Sequence, residues 1–149
     1  MRRRGKDLKF RHHTSLVAPA PDWELRAVSV DDDGEHLCLW SSADQHLVTR
    51  STVEDALAIS GAVGVRYPKV VALPDGALLV ADSRVGVDPA TGYRLPISSW
   101  TFDASGQLIT EGSLGDGIQT ILATPTGQLW VGYSTRVSSA EGKLRAMDS

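Results

Sequence analysis

Residues 125–134 read PTGQLWVGYS, and residues 74–83 read PDGALLVADS. Each stretch begins on proline, places glycine two positions later, runs through an apolar segment and ends on serine. This is the pattern of a tight turn that delivers the chain into a strand. Proline presets φ where no ladder donor is needed, and glycine tolerates a positive φ or a close backbone approach. An apolar strand also precedes each turn, VVAL at 70–73 and IQTILAT at 118–124, so we read the two stretches as copies of one β-hairpin.

The chain on either side of these copies keeps the same alternation. LRAVSV (25–30), DDDG (31–34) and EHLCLWS (35–41) repeat the hairpin, and HLVTRS (46–51) and VEDALAIS (53–60) follow it. Glu54, Ala56, Leu57 and Ala58 favour helix, but 53–60 is shorter than a usual helix and lies among strand signals. SRVGVDPATGYRLP (83–96) reads as a long loop, and ISSWTFD, ASG and QLITEGS (97–113) form a hairpin of a second kind. The turn glycines Gly34, Gly76 and Gly127 are 42 and 51 positions apart, and the long loop absorbs the nine extra residues.

Four strands in roughly 40 to 50 residues is the period of a propeller blade. The expected fold is therefore all-β: a partial β-propeller of about two and a half four-stranded antiparallel blades, at 23–60, 66–113 and 114–134. Residues 1–22 are read as a basic, proline-containing and poorly ordered tail, and residues 135–149 as a polar C-terminal tail. A closed propeller has about four to eight blades, so two and a half leave an open arc. The chain is then either a fragment of a longer propeller or one of several copies that complete a ring. Its open blade edges invite self-association through unpaired N–H and C=O groups.

Length and charge bound the function. The 149 residues suit one domain that needs no disulfide, and Cys38, the only cysteine, lies in an apolar strand and is read as a small buried hydrophobe. The net charge of -3 conceals a basic head, with Arg2, Arg3, Arg4, Lys6, Lys9 and Arg11 against Asp7, on a body near -8. An acidic body argues against nucleic acid as a partner, because phosphate contacts need clustered cations on the folded surface. RRRGKDLKF is not followed by the apolar stretch that an export signal requires, and GALLVA is far too short to span a bilayer. A cytoplasmic protein without a membrane partner is expected.

IQTILATPTGQLWVGYS and VVALPDGALLVADS resemble the repeats of β-propeller proteins, the broad group of two-component-regulator, NHL-type and gluconolactonase-like propellers. LGDGI (114–118) with WVGY (130–133) is similar to uncharacterised actinobacterial propeller-like proteins. The resemblance covers about residues 23–134 and implies a fold that serves enzymes, sensors and scaffolds alike. A gluconolactonase-like activity would need several acids and an asparagine converging on a divalent metal, and this chain contains no asparagine.

The side chains offer no recognisable catalytic set. DDDGE (31–35) lacks the alternating spacing of a calcium loop and reads as a solvated turn. His12, His13, His36 and His46 have no ligand spacing, though His36 and His46 could face each other across a hairpin. No G-x-S-x-G elbow occurs, and GAVGVR (61–66) lacks the G-K-[ST] end of a phosphate loop. Asp75, Asp82, Asp88, Asp103 and Asp116 mostly fall in turns, where aspartate caps backbone N–H groups. Trp23, Trp40, Trp100 and Trp130 are read as packing between blades rather than as sugar platforms.

The loops at 60–68 and 113–118 and the long loop at 83–96 should gather on one face, where Arg66, Tyr67, Arg84, Tyr93, Arg94 and Asp116 are the candidate ligand-binding residues. Neither a cofactor nor a metal is expected. The leading expectation is a non-enzymatic binding or interaction module for a protein or small-molecule ligand. A metal-dependent lactonase or hydrolase and an oligomeric lectin-like carbohydrate binder are the alternatives.

Overall fold

The computed structural model describes residues 15–61, 64–134, 136–140 and 143–147. The basic head at 1–14 lies outside the described residues. The chain is all-β, and among the described residues the one helical turn is a 3-10 turn at Pro74–Gly76. The first sheet joins β1 (Glu24–Val30), β2 (His36–Ser42), β3 (Gln45–Arg50) and β4 (Val53–Ile59) in chain order. The second joins β5 (Pro68–Ala72), β6 (Leu78–Asp82), β7 (Ser99–Phe102) and β8 (Leu108–Gly112) in the same way. The third pairs β9 (Ile118–Ala123) with β10 (Leu129–Tyr133). Residues 135–149, expected as a polar tail, contain an antiparallel pair, β11 (Arg136–Ala140) with β12 (Lys143–Met147), in a separate two-stranded sheet.

The turns share a hydrogen-bond geometry. In four turns the residue that follows the incoming strand donates its N–H to the carbonyl four positions on: Asp31 to Glu35 (3.0 Å), Leu73 to Ala77 (2.9 Å), Asp103 to Gln107 (2.9 Å) and Thr124 to Gln128 (2.8 Å). In three of them that residue's side-chain oxygen also accepts the return N–H, Asp31 from Glu35, Asp103 from Gln107 and Thr124 from Gln128. A short acceptor at this position therefore closes the turn from both sides. The ladders keep register too, with Val28 opposite Cys38, Val70 opposite Val80 and Ile121 opposite Val131. These pairs are related by the same steps of 42 and 51 that separate the turn glycines.

Packing explains why the second strands carry unbroken apolar runs instead of alternating ones. Leu37 to Ser41 on β2 and Leu78 to Asp82 on β6 are all buried. Leu37, Leu39, Val48 and Ile59 of the first sheet meet Val70, Leu78, Val80, Trp100 and Phe102 of the second in one core. The opposite face of the second sheet, with Val71, Leu79 and Ala81, forms another core with Ile118 and Ile121 of the third. Each fully buried Leu, Val or Phe contributes about 1.5–3 kcal/mol, so a sheet filled on both faces holds its neighbours together.

The sheets stack with β1 beside β5 and β5 beside β9. Trp100 lies in the core between the first two sheets, and Trp40, also buried, donates its indole N–H to Thr49 Oγ1 at 2.8 Å. Trp130 differs, being 66% exposed. The long loop at 83–96 is a folded excursion: Val87 bridges Arg94, Asp88 N–H donates to the Tyr93 carbonyl and Leu95 N–H to that of Gly86.

Candidate functional site

The six candidate residues lie at the end of the sheets opposite the glycine turns, where Arg66, Tyr67 and Arg84 meet at Asp82 and Arg94 meets Asp116. That carboxylate closes β6, is 6% exposed and accepts three backbone N–H groups: Arg66 at 3.1 Å on Oδ2, Tyr67 at 3.1 Å and Arg84 at 3.3 Å on Oδ1. A buried carboxylate is stable where donors fill its lone pairs, and the approach to β5 supplies two of the three. Arg66, Tyr67 and Arg84 thus meet through their main chains, while their side chains remain exposed.

Arg26 holds the same segment from the other side. A β-bulge between Leu25 and Ala27 breaks the β1–β2 register, and the Arg26 guanidinium reaches the carbonyls of Arg66 at 2.9 Å and Val65 at 3.4 Å. Re-aiming a side chain is what a bulge does. The approach to β5 is therefore clamped between a cation of the first sheet, which takes its carbonyls, and an anion of the second, which takes its N–H groups.

A chain of hydrogen bonds extends this frame. Ser83 gives its N–H (2.9 Å) and Oγ–H (2.8 Å) to the Tyr67 carbonyl; the Ser83 carbonyl accepts Gly117 N–H at 2.9 Å and Ile118 N–H at 3.0 Å. Ser134 repeats the step, giving its N–H (2.8 Å) and Oγ–H (3.2 Å) to the Gly117 carbonyl. Ser83 and Ser134 are the serines that end the two quoted stretches. They lock the end of each second strand to the residue that precedes its first strand.

Asp116 joins the excursion to the third sheet. Its Oδ1 accepts Val85 N–H at 3.0 Å, and its Oδ2 lies 4.0 Å from Arg94 Nη2. Arg94 is 72% exposed, so this ion pair contributes little. Tyr93 stands at the same excursion with its ring exposed. The sequence did not single out Arg26 or identify Asp82 as the anchor. The signal for Asp82 was an acid at the end of an otherwise apolar strand, where Trp40 and Tyr133 stand at the matching positions.

Two grooves lie elsewhere. A groove of about 460 Å³ is lined by the turns at 31–35 and 73–76 and by residues 121–125, and one of about 420 Å³ follows β1, β5 and β9. None of the six candidate residues lines either groove. His36 and His46 do not face each other, since His36 pairs with Val30 and His46 with Ser41, whose Oγ lies 2.7 Å from His46 Nδ1. Cys38 is buried, and that burial raises its thiol pKa above the ordinary value, against a smaller opposing effect of Thr49. A thiol in that state is a poor nucleophile.

Among the described residues no group of three or more His, Cys, Asp or Glu side chains could hold a metal ion, and no helix is long and apolar enough to cross a membrane. No family model, curated protein or solved structure matches the chain.

Proposed function

We propose that this chain is a cytoplasmic binding module of the β-propeller type, without chemistry of its own, in which each stacked sheet is a blade. Support for the propeller reading comes from the atom-level repeat and from the side-by-side first strands β1, β5 and β9. The ligand end is the one bearing Arg66, Tyr67, Arg84, Tyr93, Arg94 and Asp116. One observation carries this assignment: the main chain there is pinned by Asp82, Arg26 and Ser83, while the arginine and tyrosine side chains stand exposed. A rigid frame lowers the entropic cost of binding, and guanidinium forks suit a carboxylate or phosphate on a protein or small-molecule partner.

The test is a thermal-shift and calorimetric screen against citrate, ATP and heparin as anionic probes. Saturable binding to at least one probe is expected, with the loss of that binding in the Arg66→Gln, Arg84→Gln, Arg94→Gln triple variant. Saturable turnover of a lactone or phosphoester that disappears in Asp116→Asn would overturn the non-enzymatic reading.

A further inference from the structure

Each end of the sheet stack exposes apolar residues whose counterparts one step along are buried within it. The second sheet turns Val71, Leu79 and Ala81 toward the third, and a step of 51 carries these to Leu122, Trp130 and Gly132. Leu122 and Trp130 face each other across the β9–β10 ladder and are 63% and 66% exposed, whereas Leu79 and Ala81 are 3% and 1% exposed. At the other end, Val70 and Ala72 pack against the first sheet, and a step of 42 carries them back to Val28 and Val30. These valines are 45% and 59% exposed, whereas Cys38, opposite Val28 on β2, and Trp40 are 3% and 4% exposed, so the first sheet exposes this end along β1.

Trp130 with Leu122 is thus the trailing half of a sheet-on-sheet interface, and Val28 with Val30 is a leading half. Inside the molecule the same two kinds of half meet twice. An exposed cross-strand tryptophan–leucine pair marks an interaction surface, and the surface that fits it is already present on this chain.

We propose that two copies of this chain associate head to tail, the β9–β10 face of each packing on the exposed β1 side of the first sheet of the other. Such a contact is heterologous, and it closes only if the rotation between copies completes a ring. Two copies supply twice three stacked sheets, which falls within the roughly four to eight blades of a closed propeller, whereas three copies exceed it. The two-copy stoichiometry rests on the propeller reading. The pairing of the faces rests on the register alone.

The test uses the full chain in light scattering across a dilution series. The expected mass is twice the 16.0 kDa of one chain. Trp130→Glu is expected to weaken association by about tenfold or more, as truncating a buried interfacial tryptophan does. Val28→Asp with Val30→Asp should do the same at the other face. All three positions are exposed in the single chain, so an unchanged β-sheet circular dichroism spectrum shows that the variants fold.

The decisive sample is the mixture. Each variant by itself stays monomeric, but together they retain one intact contact and return a two-chain species. A mass of one chain at every concentration overturns the docking and leaves the propeller reading standing. Failure of the mixture to pair overturns the head-to-tail arrangement. A ladder of higher masses overturns the closed ring and the blade assignment beneath it, because heterologous faces that do not close build filaments.

Discussion

Asp82 shows how one residue can hold a site without reaching into it. Its side chain is 6% exposed and occupied by three main-chain donors, so replacing it leaves N–H groups of residues 66, 67 and 84 without their acceptor. Asp82→Ala should cost about 3 kcal/mol, and a corresponding fall in Tm of roughly 6–12 °C is the readout. The proposed binding at the loop end should weaken in the same variant even under conditions where it is folded. Asp103 has the same chemistry in a turn. Its carboxyl pKa is held below the ordinary 3.8, first by the Ser105 hydroxyl and then by the Gln107 backbone N–H. A depressed folded-state pKa adds stability that is fully present above the unfolded value and lost as pH falls through the folded one. The difference in urea midpoint between the wild type and Asp103→Asn should therefore be constant near neutrality and change only below about pH 4. A difference that already changes between pH 7 and 5 would show that another group is responsible.

At the scale of elements, two glycines with the same backbone conformation should respond differently to substitution. Gly92 has φ +73° and open space where a Cβ would point, so Gly92→Ala should cost only the left-handed penalty of about 1–2 kcal/mol. Gly106 has φ +86°, and a Cβ there would stand 2.3 Å from the Ala58 carbonyl oxygen, with the Leu57 side chain at 3.3 Å. The turn after β7 leans on β4 of the preceding sheet, so Gly106→Ala should cost more than twice as much as Gly92→Ala in equilibrium urea unfolding. Equal costs would show that the two sheets are not in contact at this edge. The turn-and-strand hairpins were legible in the sequence because period, glycine and proline all point the same way in PDGALLVADS and PTGQLWVGYS. VEDALAIS was ambiguous because its propensities oppose its neighbours, and pairing with β3 decides it as β4. The pair β11 and β12 was passed over as a polar tail, although AEGKLRA at 140–146 echoes ASGQLIT at 104–110. The loop at 83–96 announced its turn but not its internal bridge. In the site, Arg66, Tyr67 and Arg84 were legible as loop residues, but the Arg26 contact depends on a bulge that no local sequence rule identifies, and it joins residues 40 positions apart.

For the whole molecule, the asymmetry of the stack sets an order of stability. The second sheet is covered on both faces, by Leu37, Leu39, Val48 and Ile59 on one side and by Ile118 and Ile121 on the other. The third sheet is covered on one face only, with Leu122 and Trp130 exposed on the other. In a linear stack each unit is stabilised by its own ladder and by the neighbours it touches. The β9–β10 pair should therefore open without the rest, and its amides should exchange with solvent at a lower opening free energy than those of β2 and β6. Ile121→Ala removes a contact of the outer interface alone. It should accelerate exchange in β9 and β10 while leaving β2 and β3 unchanged. Val80→Ala lies at 0% exposure in the inner core and should lower the protection of both the first and second sheets together, by roughly 2 kcal/mol. Uniform acceleration by Ile121→Ala would show that the three sheets open as one cooperative unit. The proposed association through Trp130 would make the contrast concentration-dependent: binding of a second copy buries the exposed face, so the protection of β9, β10 and β1 should rise as the protein is concentrated, with little change in β2, whose central residues are already buried.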